Sequence, residues 1–357
     1  MAVMRKIVAR NIGEMRMPAV IFTHTSAARV LIAAIFDTRV PVGRNCSKLL
    51  PDFGSKFMSG QYSRRLTAFF AVLVSLTVLV ACDTTSKNAS DTEAGRRNVD
   101  AMSREHADDV GTPSGAAGSG PQRAVVAERL PYAEVNDELV YGHFVFPADM
   151  VDPLPGLIVI HEWWGLNDGV RAMADRLAAE GYVVLAIDLF EGNSTLNPGG
   201  ARAQMLKVVE NPEPANENIR QAYQFLVGSA QSPRIGSLGW GFGGGWSLNS
   251  ALLFPDELDA AVIYYGQVTD NEERLAPLNV PILGLFGEDD RGITVESVNG
   301  FEQALENLGK NYEIEIYANA QHAFANPTGN RYNAEVAEIA WVRTLEFLDR
   351  YLSVEVD

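Results

Sequence analysis

Three ionisable side chains and one glycine stand where chemistry could happen. Glu162 follows the apolar run LIVIH (157–161) and opens EWWGLN (162–167). Gly241 is the centre of GWGFGGGW (239–246). Asp290, with Asp289 as its rival, lies in GEDDRG (287–292), and His322 lies in NAQHAFANP (319–327). A tight turn, then an acid, then a histidine are the parts of a hydrolytic site. The acid orients the imidazole, the imidazole moves a proton, and backbone N–H groups at the turn hold an oxyanion. A carboxylate between Trp163 and Trp164 and its own strand is poorly solvated. Glu162 should therefore hold its proton more tightly than a free glutamate, unless an arginine pairs with it and the tryptophans are simply core.

These residues need a frame that brings distant loops together. LVYGHFVFP (139–147), LIVIH, YVVLAIDLF (182–190), RIGSLGW (234–240), DAAVIYYG (259–266), PILGLFG (281–287) and NYEIEIYA (311–318) read as strands. Residues 167–181 read as a helix with Asn167 as N-cap and Gly181 as its stop. Residues 200–229 read as two helices around Pro212 and Pro214, and 244–254, 294–309 and 334–352 as further helices. Strands alternating with helices, several of them continuously apolar, predict an α/β fold with a mostly parallel sheet and helices on both faces. Ligands of such sheets bind beyond the C-terminal strand ends, where all four candidate residues fall.

A strand, a glycine-rich turn and a helix also carry the nucleophile of α/β-hydrolases, usually as G-x-S-x-G, followed in the chain by the acid and then the histidine. Among His143, His161 and His322, only His322 follows the acidic loop. A dinucleotide-binding reading of the glycines fails, because no acidic residue stands about 20 residues on at a strand end. The chain has only two cysteines, Cys46 and Cys82, which excludes a thiol nucleophile and a CxxC metal or redox site from the C-terminal two thirds.

HEWWGLN, AIDLF, GWGFGGGW, FGEDDRG and AQHAFANP, in this order and spacing, resemble the dienelactone hydrolase family over residues 126–355. The resemblance implies an α/β-hydrolase fold and cleavage of small esters or lactones without metal or cofactor. It implies a Cys–Asp–His triad on a G-x-C-x-G-G turn, with a glutamate that interacts with the cysteine. Carried over to this chain, the acid is Asp290, the base His322 and the auxiliary carboxylate Glu162. The oxyanion donors are the backbone N–H groups of Phe242 and Trp163. The nucleophile position is Gly241, which has no side chain, and neither Ser237 nor Ser247 is placed to replace it. Asn326 stands where the founding lactonase has a substrate-binding arginine. The expectation is a hydrolase of low activity in which a His–Asp dyad activates water. The alternative is a non-catalytic small-molecule-binding or envelope interaction protein on the same fold.

The first third reads differently. RRLTAFFAVLVSLTVLVAC (64–82) has a positive start, an apolar stretch too short to span a membrane comfortably, and a terminal LVAC. It resembles a bacterial lipoprotein signal, which implies cleavage before Cys82, lipidation of Cys82 and a periplasm-facing place in the cell envelope. An uncleaved signal anchor is the competing reading. Met58 is the expected start, with 1–57 an over-extended N-terminus or disordered tail, 58–81 the signal and 82–125 a flexible tether poor in aromatic residues. Residues 1–81 carry 11 Lys+Arg and 3 Asp+Glu, leaving 18 basic and 42 acidic residues from position 82 onward. A surface that acidic excludes a nucleic-acid partner and is otherwise the mark of solubility.

Overall fold

The computed structural model describes residues 93–109 and 123–354. The expected signal peptide and Cys82 lie outside the described residues. Eight strands form one sheet: β1 Val125–Val135, β2 Glu138–Pro147, β3 Gly156–Ile160, β4 Val183–Ile187, β5 Ile235–Trp240, β6 Ala260–Tyr264, β7 Ile282–Gly287 and β8 Tyr312–Tyr317. Their order is β1-β2-β4-β3-β5-β6-β7-β8. From β4 to β8 every pairing is parallel, while β1 and β2 add an antiparallel edge.

Helices cover both faces. We number them α1 (93–105), α2 (Asp168–Ala179), α3 (Pro198–Glu210), α4 (Glu213–Gly228), α5 (Phe242–Leu253), α6 (Glu272–Leu275), α7 (Val295–Asn307) and α8 (Ala334–Leu352). The period-2 alternation of a strand divides the core. Ile158 and Ile160 point to the face covered by α1, α3, α4, α5 and α7, and Leu157 and Val159 to the face covered by α2 and α8. Because both faces are covered, β3–β7 are buried along their whole length and read as unbroken apolar runs.

Helix starts follow the local chemistry. The side chains of Asn167, Thr294 and Asn333 accept from Val170, Ser297 and Val336 N–H groups at the starts of α2, α7 and α8. Gly181, with φ +112°, ends the α2 region as expected.

Two elements depart from the sequence reading. The strand β1 joins β2 through Asn136 and Asp137, both at positive φ, a hairpin turn that suits the sheet's twist. Pro131 interrupts the pattern of β1, and the register shifts between Pro131 and Ala133. The second departure is larger. Within the segment expected to be a tether, residues 93–105 are helical and fix Val99 and Met102 in the core at 1% and 6% exposure. Composition alone predicts disorder there, because two apolar anchors are enough to dock a helix on an existing surface but too few to show as a stripe.

Candidate active site

Glu162 lies just past β3, Gly241 just past β5, Asp290 three residues past β7 and His322 five past β8. The strands β3 and β5 are neighbours whose chains leave in opposite directions, towards β4 and β6. Glu162 and Gly241 therefore flank the switch point of the sheet, where a crevice must open.

The turn is built by contact between backbones. A Cβ on Gly243 would stand 2.2 Å from the carbonyl oxygen of Ile160, so α5 packs against the end of β3 as only glycine permits. Gly241 has φ +54° and ψ −113°, its N–H donates to the Tyr264 carbonyl at 2.9 Å, and Phe242 begins α5. The first N–H groups of a helix have no acceptor within it, which leaves Phe242 N–H pointing out of the helix start.

His322 and Asp290 are both buried and bonded: Nδ1–H of His322 donates to Oδ2 of Asp290 at 2.7 Å. The other carboxylate oxygen accepts from the N–H groups of Gly292 and Ile293, at 2.8 Å each. Asp290 is thus fixed from both sides, while Asp289 is exposed. With the proton on Nδ1, Nε2 carries the lone pair, and it lies 3.7 Å from where a Cβ on Gly241 would be.

Glu162 accepts from Tyr265 Oη at 3.3 Å and from Asn326 Nδ2 at 2.6 Å. Burial pushes its pKa up to about 7, against the pull of nearby His322. The expected retention of its proton follows from desolvation, with amide and phenol as partners rather than arginine. Trp163 and Trp164 are core residues, 2% and 7% exposed, and the indole N–H of Trp163 has no acceptor among the described residues. His161, fully buried, donates from Nδ1 to the Glu162 carbonyl and accepts at Nε2 from Leu189 N–H, which fixes the turn after β3. His143 pairs with Asp175 on β2 and α2, away from these residues.

His106 and Arg331 escape sequence reasoning. His106, just past α1, is 4% exposed, with its ring centre 4.3 Å from Trp163 and 5.0 Å from His322. Its Nδ1 is 2.5 Å from Oδ2 of Asp109, and burial above all lowers its pKa to about 4. Arg331 donates to the carbonyls of His322 and Glu105 and to Asp109, and its Nη2 also lies 2.7 Å from His106 Nδ1. A cavity of about 300 Å³ adjoins them, lined by His106, Asp109, Trp164, Asn326 and Arg331 among others. Among the described residues, no group of three or more His, Cys, Asp or Glu side chains could hold a metal ion.

Residues 141–352 match the dienelactone hydrolase family. The chain belongs to that family. A protein of Saccharolobus solfataricus named "Putative carboxymethylenebutenolidase" is 32% identical over 242 residues, covering 57% of this chain and 93% of that one. "Protein usf" of Aquifex pyrophilus is 32% identical over 206 residues, covering 56% and 89%. A crystal structure from Klebsiella pneumoniae, described as a "Putative Dienelactone Hydrolase", superposes with a TM-score of 0.58 at 25% identity, covering 64% of this chain and all of that one. The fold is that of the α/β-hydrolases, and membership of this family supports a hydrolase-like function. The family match begins at residue 141, so α1 and His106 lie outside it.

Proposed function

We propose that this dienelactone hydrolase family member cleaves small neutral carboxylic esters or lactones with water as the nucleophile. The observation that carries the reading is the approach of His322 Nε2 to the empty side-chain position of Gly241, with Nδ1 held by Asp290. A water beside Gly241 gives its proton to Nε2 while its oxygen attacks the carbonyl carbon. The resulting oxyanion accepts from the N–H groups of Phe242 and Trp163. The imidazolium, stabilised by Asp290, then returns the proton to the leaving oxygen. Each oxyanion donor is worth roughly 2.7–4 kcal/mol, so a site lacking its thiol retains useful power at a low rate.

Neutral substrates suit the polar groups present. Asn326 replaces a substrate-binding arginine and turns its amide to Glu162, and the donors of Arg331 are directed to Glu105, Asp109 and His322. Assay of the purified chain on p-nitrophenyl esters and lactones, beside His322→Ala, tests the reading. A slow hydrolysis abolished in His322→Ala supports it, and equal rates in both proteins overturn it.

A binding protein is the second reading, favoured by a base only 1% exposed and a nucleophile position without a side chain. It requires saturable binding of an ester or lactone with no turnover. Lipid anchoring through Cys82 in the cell envelope belongs to the same proposal. It is tested by incorporation of labelled palmitate, lost in Cys82→Ser.

A further inference from the structure

The chain that closes the site comes from outside the family-matched region. The helix α1 docks through Val99 and Met102, with surface ion pairs from Asp100 to Arg202 and from Arg96 to Glu210. Just past it, the ring of His106 packs against the rings of both Trp163 and His322. His106 is also a wall of the 300 Å³ cavity, whose lining includes neither His322 nor Gly241. The cavity thus borders the His106 ring and not that of His322. Arg331 ties the cover to the site, joining the Glu105 carbonyl and Asp109 to the carbonyl of His322.

We propose that residues 93–109 form a built-in cover over the reaction centre, with His106 as its plug and Arg331 as its latch, and that substrate reaches His322 and Gly241 when this cover is displaced. The proposal rests on the site assigned above but not on its chemistry. The plug is unsuited to being a second base. Its Nδ1 is engaged by Asp109, and burial with nearby His322 and Arg331 keeps the ring neutral with little affinity for a proton.

The attachment is built to give way before the sheet does. The two ion pairs lie between half-exposed side chains, which contribute little. The apolar anchors are two residues one helical turn apart. The closed arrangement leaves the Trp163 indole N–H buried without an acceptor, a cost that admission of water or ligand removes.

Access can be read without hydrolysis. In the full chain carrying Gly241→Cys, alkylation of position 241 by iodoacetamide is followed by peptide mass spectrometry, which separates it from Cys46 and Cys82. Adding Val99→Asp, which detaches α1, or His106→Gly, which removes the plug, is expected to speed labelling about tenfold or more. Equal labelling rates in folded proteins overturn the cover. Thermal melting checks the fold. If Val99→Asp unfolds the domain, Arg202→Glu opposite Asp100 is the milder release, with a smaller acceleration expected. Quenching of the tryptophan fluorescence by acrylamide, measured with Trp240, Trp246 and Trp341 replaced by Phe so that Trp163 and its neighbour Trp164 report, should rise in the same variants without Gly241→Cys, and unchanged quenching counts against the cover. Gated labelling without ester hydrolysis sinks the catalytic reading and leaves the cover standing. Hydrolysis with ungated labelling does the reverse.

Discussion

A Cβ built on Gly241 stands 3.7 Å from Nε2 of His322, and no other described atom outside the local chain comes within 4 Å of it. The imidazole and the turn thus leave room between them for a side chain that the sequence does not supply. The backbone at 241, with φ +54° and ψ −113°, is one that a glycine adopts freely and other residues adopt under strain. A glycine here avoids the strain that any side-chain-bearing residue would carry.

Supplying a thiol side chain should add chemistry and strain together. Gly241→Cys is expected to give a stoichiometric burst of p-nitrophenolate from an activated ester, followed by slower turnover, because the thiol can form an acyl-enzyme. The backbone strain should cost about 1–3 kcal/mol. That corresponds to roughly 2–4 °C in Tm per kcal/mol for a domain of this size. A folded variant with no burst on any small ester would show that the turn is not aligned with the base.

Asp290→Asn isolates the tautomer. The asparagine oxygen can still accept from Gly292 and Ile293, but its NH₂ group then faces Nδ1 of His322 and forces the proton onto Nε2. An imidazole protonated at Nε2 cannot take a proton from water. Ester hydrolysis should fall by about 10²–10⁴-fold with only a small change in melting temperature. A rate equal to that of the natural chain would remove Asp290 and His322 from the chemistry.

What could be read from the sequence depended on how local its cause was. The parallel strands β3–β7 showed as unbroken apolar runs because both faces are covered, and the caps at Asn167 and Gly181 are one-residue effects. Asp290 and His322 could be placed because each follows a strand end. The strand β1 was obscured by Pro131 and by an edge position that tolerates charge. The helix α1 was obscured because Val99 and Met102 dock on a surface that only the folded domain provides. His106 and Arg331 escaped for a related reason. They are 225 residues apart in sequence, and no spacing rule connects groups that meet only through tertiary packing.

Gly243→Ala probes the turn independently of chemistry. The new methyl would stand 2.2 Å from the Ile160 oxygen and 2.6 Å from that of His161, both backbone atoms at the end of β3. Neither side can retreat without shifting α5 or the strand that carries Glu162. Destabilisation above about 4 kcal/mol is expected, in the range reserved for core overpacking and backbone conflict. Urea unfolding would measure it, and a loss under about 1 kcal/mol would mean that helix and strand are not packed this closely.

Glu162 should make stability fall as pH rises. Its pKa is about 4.5 in the unfolded chain and is raised to about 7 in the fold, with burial as the largest cause. Between those values the folded state holds a proton that the unfolded state has released, so raising the pH favours unfolding. The penalty is absent below about 4.5, grows to about 7 and is constant above, reaching about 3 kcal/mol in full. Glu162→Gln cannot ionise and should lack this component. Its single acceptor oxygen serves only one of Tyr265 and Asn326, which costs about 1–3 kcal/mol at every pH. The quantity to measure is therefore the difference in unfolding free energy between the natural chain and Glu162→Gln, by urea denaturation at pH 5 and pH 8. That difference should shift by about 2–3 kcal/mol against the natural chain on going to pH 8. A difference independent of pH would mean that Glu162 ionises as it does in water, and that the pocket after β3 is open to solvent.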